Sequence, residues 1–538
     1  MLERNASGVV SRGGRVVALL ACLATFGCGR SPAAGPAPEL WFYQGVNLAE
    51  ADAVQRLAPV WARAARAGYR RVVLADQKFA RLEAMDPAYF TRAARLRELA
   101  DSLGLAIVPG VFQVGRSGAM LAGDPNLAEA LPVEGVRMVV RGGLARVEPD
   151  PPVAFPERPA QRDPAVQLDG RQATIREPRG RARLVYDVAV RRHACYHVWF
   201  QLRTRDFAGH PRVWIFGAGQ RLHFMKPIAP AATQDWTRFD LLFDSLEHDA
   251  VRIAFGVGGP AQGEVAWRDW GIEESGPVNV VRRRDAPFLL RDVAGSRVLV
   301  EGRDFDPVAD PLLGRDPWPG QFSEWHAAPA VHVRRPDGTV LEAAWQHAAI
   351  VNGTQVCCCL SQPDTWTRLA DEARRMRALW GPGRYLMMFD EIRALGGDSA
   401  CVRTGRGAGA ILADAIARGS ALLPADTLYV WGDMFDPTQN AVNGYYLVRG
   451  DLRGSWGGLG ARVGILNWNE PRARQSLRFF ADRGEPQVIA GYYDGAPEAI
   501  RRWIEAARGV GGIEAILYAT WSGRYDDLEA FARACRDR

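Results

Sequence analysis

The sequence predicts an α/β chain: a (β/α)8 barrel with an all-β sandwich inserted after its third strand. Three observations carry this. Apolar strand-like runs alternate with helical patterns at both ends of the 538-residue chain, the rhythm of a parallel sheet covered by helices. Between them, from about 132 to 276, short alternating segments are separated by Gly, Pro and Asp turns with almost no helical periodicity, as in a β-sandwich. With that interruption removed the strands number eight, enough to close a barrel.

Residues 1–28 read as an export signal. Arg12 and Arg15 precede the apolar run VVALLACLATFG, which is too short to span a bilayer and ends at Cys28. The pattern resembles a bacterial lipoprotein signal. Cys28 is the expected lipidated residue, with Cys22 as the alternative, and a cleaved secretory signal is the competing reading. The protein is then exported, lipid-anchored in the bacterial cell envelope or secreted, and meets a membrane only through that anchor. Residues 29–39 form a Pro-rich linker.

The first part of the barrel, 40–131, holds three strands: LWFYQGVNL, RRVVLAD and LAIVPGVFQVG, with helices over 52–67 and 87–103. The sandwich, 132–276, contains RARLVYDVAV, YHVWFQLRTR and AVRIAFGVGG. With Asp235-Trp236-Thr237 before one strand and GEVAWRD near its end, it resembles the jelly-roll, carbohydrate-binding-module-like units attached to glycoside hydrolases. A connecting segment, 277–346, carries an expected hairpin turning at Asp337-Gly338. The second part of the barrel, 347–538, resumes with a helix over 364–379. Strands follow at Tyr385–Phe389, Thr427–Asp433, Ala461–Asn469, Pro486–Asp494 and Ile513–Trp521. No helix is evident between Asp433 and Ala461. Residues 356–360 are a ninth strand candidate, and an open doubly wound sheet is the structural alternative.

Lys78 and Lys226 are the only lysines among 67 basic residues. The arginines are scattered rather than set in a stripe, so the net charge of +6 is no nucleic-acid footprint. Export permits disulfides. One of Cys357, Cys358 and Cys359 is placed to bridge to Cys401, and apolar filling of a buried strand is the equal alternative. No Cys/His spacing suggests zinc, and TGRGAGAILAD lacks the G-x-G-x-x-G spacing. No metal or cofactor is expected.

In a barrel of this kind the chemistry lies at the C-terminal strand ends. There the sequence places Asp390 and Glu391 with Arg393 just after them, then Trp431 and Asp433, Trp468, the run Tyr492, Tyr493 and Asp494, and Trp521. Aromatics stack on sugar C–H faces, while carboxylates bind hydroxyls and supply acid and base. A polysaccharide or oligosaccharide is the partner this composition suits. Asp390 and Glu391 are the catalytic candidates, and the others are candidates for substrate binding.

From about Cys357 the order of CCCLSQPDTW, a long helix, a Tyr-initiated strand, Asp-Glu and Trp-rich strand ends resembles the family-20 β-hexosaminidases. Asp-Glu after the fourth strand is similar also to family 123. DPNLAEALPV, FDEIR, WGDMFDP, NWN, AGYYDG and YATWSGRYDDLEAF are more specifically similar to uncharacterised bacterial glycoside-hydrolase-like (β/α)8 barrels. The hexosaminidase resemblance implies glycoside hydrolysis without an enzyme nucleophile. Glu391 would be the general acid/base, and Asp390 would hold a 2-acetamido group whose oxygen attacks the anomeric carbon. Two departures stand out. The His-x-Gly-Gly before the acids is replaced by apolar Leu386 to Phe389, and the sugar-gripping arginine near strand one is missing, leaving Arg393 to substitute for it or to pair with Asp390. Two alternatives stay open: a two-carboxylate glycosidase using Asp494 or Asp433 with Glu391, and a non-catalytic, lipid-anchored glycan-binding protein.

Overall fold

The structure is a computed structural model and describes residues 38–217, 219 and 221–536. The expected signal with Cys22 and Cys28, and the linker up to residue 37, lie outside the described residues. Among the described residues, no helix is long and apolar enough to cross a membrane.

Eight parallel strands close a barrel in chain order. They are β1 (Glu39–Gly45), β2 (Tyr69–Ala75), β3 (Ala106–Val111), β4 (Arg384–Met387), β5 (Thr427–Trp431), β6 (Val463–Asn467), β7 (Gln487–Tyr492) and β8 (Ile513–Tyr518). β8 returns to β1, with Leu40 opposite Ile516 and Trp41 opposite Leu517, so the sheet is not the open doubly wound alternative. The ninth candidate stays outside the barrel: Gln355–Val356 pairs with Ile350–Val351.

Alternation explains why these runs are apolar throughout. Trp41, Val73, Val108, Leu386, Tyr429, Leu466, Val488 and Leu517 fill the barrel interior. Their neighbours Phe42, Val72, Met387, Val430, Ile465, Ile489 and Ile516 face the helices. Both faces are buried, and each large side chain so placed contributes about 1.5–3 kcal/mol. The helices follow from similar patterning. Pro87–Ser102 opens with Asp86 accepting the Tyr89 N–H at 2.7 Å and then Pro87, and buries Tyr89, Ala93, Leu96 and Ala100 on one face. Between β5 and β6, as the sequence reads, there is no α-helix; the connection holds short turns of 3-10 helix, including Asp433–Phe435 and Ser455–Gly458, and the two-residue strand Leu447–Val448, which pairs with Ala394 and Leu395.

The insertion leaves after β3 and returns before helix Pro363–Trp380, which serves as the third strand's helix. Its Glu372 accepts the Phe112 N–H, just past β3, at 2.7 Å. Two five-stranded antiparallel sheets, built from residues 161–274, form a sandwich around Tyr186, Phe200, Phe255 and Trp267. The flanking segments differ from the sequence reading. Strand Ala130–Arg141 does not join the sandwich but pairs with Val340–Ala348 in a third sheet with its own core. The residues around Asp337-Gly338 do turn, with Gly338 at φ +84°, but the arms do not pair as a hairpin. Val331–His332 pairs with Leu144 and Ala145, and Val340–Ala348 with the strand from Ala130. Pairing across some 200 residues wins because it buries Val136, Met138, Leu341 and Trp345 together.

Candidate active site

A cavity of ≈ 860 Å³ opens at the C-terminal mouth of the barrel, and both Asp390 and Glu391 line it. The local backbone explains how adjacent residues share one space. Leu386 and Met388 point into the barrel while Met387 and Phe389 face the helices, so alternation carries Asp390 inward and would turn Glu391 outward. Glu391 instead adopts a left-handed conformation, φ +49°, at a cost of about 1–3 kcal/mol for a residue with a side chain. Three supports hold it there. The Glu391 N–H donates to Asp433 Oδ2 at 2.9 Å. Gln355 Nε2 donates to the Glu391 carbonyl at 2.8 Å and to the Gly115 carbonyl at 2.7 Å. Gly115 packs so closely beneath that a β-carbon there would sit 2.0 Å from the Asp390 carbonyl oxygen.

The two acids differ in electrostatics. Glu391 Oε1 accepts from Arg393 Nη2 at 2.6 Å and Oε2 from Arg116 Nη2 at 2.8 Å. A carboxylate held by two guanidinium groups is an anion with charge-assisted bonds on both oxygens. Asp390 has the opposite environment. Burial and then the neighbouring Glu391 charge push its carboxyl up to about 6, against the opposing pull of Arg116 and Arg393. Asp433 lies fully buried behind the acid loop and is not among the residues lining the cavity. Burial, then the charges of Asp390 and Glu391, push it up to about 7, against the Glu391 N–H it accepts. Its other bond is from Asn440 Nδ2 at 2.9 Å. It positions the acid loop.

Arg393 pairs with Glu391, not Asp390, and also donates to Gln355 Oε1. It is buried beneath Glu391 and does not line the cavity. The cation that does is Arg116, just past β3, with Lys78 after β2. Arg116 and Gln355 carry no sequence signal, because their partners lie far along the chain.

The aromatic wall contains four of the five expected residues. Trp431, Trp468, Tyr493 and Trp521 line the cavity together with Tyr43 from β1. Trp468 and Tyr493 lie parallel within 3°, 6.2 Å between centroids, and Trp521 leans on Tyr43 at 5.2 Å. Tyr493 and Trp521 remain 58% and 44% exposed. The ring N–H groups of Trp431 and Trp468 are buried and have no hydrogen-bond partner among the described residues. Tyr492 is the exception. An irregularity in β7 between Ala490 and Tyr492 turns it outward, where it stacks on Tyr518 at 3.9 Å and donates to Asp527 Oδ2 at 2.8 Å. It belongs to the helix layer.

Asp494 lines the cavity but spends its oxygens on the loop after β8. It accepts from the Trp521 and Ser522 N–H groups at 2.9 and 3.0 Å and from the Thr520 and Ser522 hydroxyls at 2.5 and 2.8 Å. Burial acts to raise its pKa, but these bonds outweigh it and leave the carboxyl below its ordinary value. Its role in this geometry is to fix Trp521. Asp76 is similarly committed, accepting from the Leu48 N–H, the Lys78 N–H and the Tyr89 hydroxyl.

No family model and no curated protein matches the chain. Among solved structures, a β-N-acetylhexosaminidase is similar over 93% of this chain and 70% of its own, with 10% identity and a TM-score of 0.37. The module CBM4 is similar over 22% of this chain and 77% of its own, at 16% identity and a TM-score of 0.18. The carbohydrate-binding module CBM6cm-2 from Cellvibrio mixtus lichenase 5A, solved with cellotriose, covers 23% of this chain and 97% of its own, at 15% identity and a TM-score of 0.18. At such distances no activity transfers, and the barrel assignment rests on the closed strand order itself.

Proposed function

We propose that this cavity hydrolyses a glycosidic bond, with the proton carried by Asp390. The observation that carries the reading is that a carboxyl raised to about 6 and a doubly paired carboxylate share one cavity walled by Trp and Tyr. The division of labour inverts the one implied by the hexosaminidase resemblance. Glu391 has a guanidinium on each oxygen, so both of its oxygens are already engaged. It supplies fixed negative charge beside the oxocarbenium-like transition state, or anchors a 2-acetamido N–H. Asp390, protonated below about pH 6, protonates the leaving oxygen and later takes a proton from water.

With no free enzyme nucleophile assigned, the substrate-assisted route on a 2-acetamido sugar suits this arrangement better than a two-carboxylate scheme through Asp494, whose oxygens are committed to the 520–522 loop. A screen of aryl 2-acetamido glycosides against their 2-hydroxy counterparts tests it. The 2-acetamido substrates are expected to turn over at least about 100-fold faster, with activity lost as pH rises through about 6. Glycan binding without hydrolysis of any substrate in the panel would make this a binding protein instead.

A further inference from the structure

We propose that Glu129, Cys359 and Cys401 form a buried binding site for a thiolate-preferring divalent cation of the zinc class, clipping the neck of the insertion to the acid loop. The three residues come from separate places. Glu129 precedes the strand that leaves the barrel, Cys359 lies where the chain returns, and Cys401 sits in the short helix Ser399–Arg403 beyond the acid loop. All three are buried to within 1%. Two thiols and a carboxyl converging in a dry pocket is an unusual concentration of ligand chemistry.

The spacing matches a metal's requirements. Metal–sulfur bonds of about 2.3 Å and metal–oxygen bonds of about 2.0–2.2 Å, set tetrahedrally, place donors about 3.8 Å apart for two sulfurs and about 3.5–3.7 Å for sulfur and oxygen. Here Cys359 Sγ and Cys401 Sγ are 3.7 Å apart, and Cys401 Sγ is 3.6 Å from Glu129 Oε2. All three ligand atoms lie within 4.8 Å of one another.

The carboxylate is also oriented as a ligand is. Its other oxygen, Oε1, accepts the N–H groups of Gly397 and Asp398 at 3.1 and 3.2 Å, the outer-shell support that leaves one oxygen for a metal. The fourth position falls to water or to the hydroxyl of Ser361, two residues past Cys359. On binding, the cation displaces the protons held by the thiols and the carboxyl. No sequence motif announces the site, because the whole insertion separates Glu129 from Cys359.

The test uses the full chain, purified without chelator and dialysed, with metal measured by mass spectrometry. About one zinc per chain is expected, falling at least tenfold in the double variant Cys359→Ser, Cys401→Ser. Cobalt loading should give thiolate-to-metal charge-transfer bands with intense tetrahedral d–d bands. Glu129→Gln should keep the bands and weaken cobalt binding about tenfold. If the double variant does not fold, the cobalt spectrum of the parent decides alone. Absence of zinc together with absence of thiolate–cobalt bands overturns the site. Titratable thiols would then point to hydrogen-bonded packing, and their loss to a Cys359–Cys401 disulfide.

Discussion

Replacing Asp390 with Asn is expected to lower kcat/KM by about 10²–10⁴ on glycosides with poor leaving groups, the usual contribution of a positioned general acid. Aryl glycosides whose leaving group departs without protonation should lose about tenfold or less, and the alkaline fall near pH 6 should vanish from the profile of the substrates that do need the proton. Glu391→Gln should behave differently. The charge it supplies is needed whatever the leaving group, so activated and unactivated substrates should suffer alike, and Arg116 and Arg393 lose the anion both now hold. Steady-state kinetics over a leaving-group series checks this. If Glu391→Gln spares activated substrates while Asp390→Asn does not, the acid is Glu391 and the reverse assignment holds.

The second large effect is expected at a residue that has no side chain of its own. In Gly115→Ala the added β-carbon meets the Asp390 carbonyl oxygen at 2.0 Å and the Glu391 carbonyl carbon at 3.3 Å, well inside van der Waals contact. The obstacle is backbone, so the acid loop must shift, and a displacement of about 1 Å at reacting groups costs about 10²-fold in rate. The expected result is a loss of that size in kcat with near-native circular dichroism. Gly407→Ala, where a β-carbon meets nothing within 4 Å, should leave activity unchanged. A Gly115→Ala enzyme with full kcat would show that the Gly115–Gln355–Glu391 cradle does not set the geometry.

What could be read from the sequence follows from the range of the interactions involved. The eight barrel strands are legible because each is buried on both faces, and the acid pair because it interrupts such a run. Tyr492 was misplaced because a one-residue irregularity in β7 defeats alternation. The third sheet escaped because Ala130–Arg141 finds its partner only after the sandwich has been threaded between. Arg116 sits 275 residues from Glu391, and nothing local marks it as the guanidinium that lines the cavity. Asp494 shows the remaining difficulty: a carboxylate at a strand end looks the same whether it awaits a substrate or ties down a loop, and only its four donors decide.

In the proposed mechanism Asp390 faces the glycosidic oxygen while Glu391 stays locked between its arginines. A crystal structure of Asp390→Asn soaked with a 2-acetamido oligosaccharide tests this most directly. The expected result is a sugar ring against Trp468, Tyr493 and Trp521, the scissile oxygen within hydrogen-bond distance of residue 390, and both guanidinium pairs on Glu391 intact. A sugar whose scissile oxygen meets Glu391, with Arg116 swung away and residue 390 on the acetamido group, would contradict it.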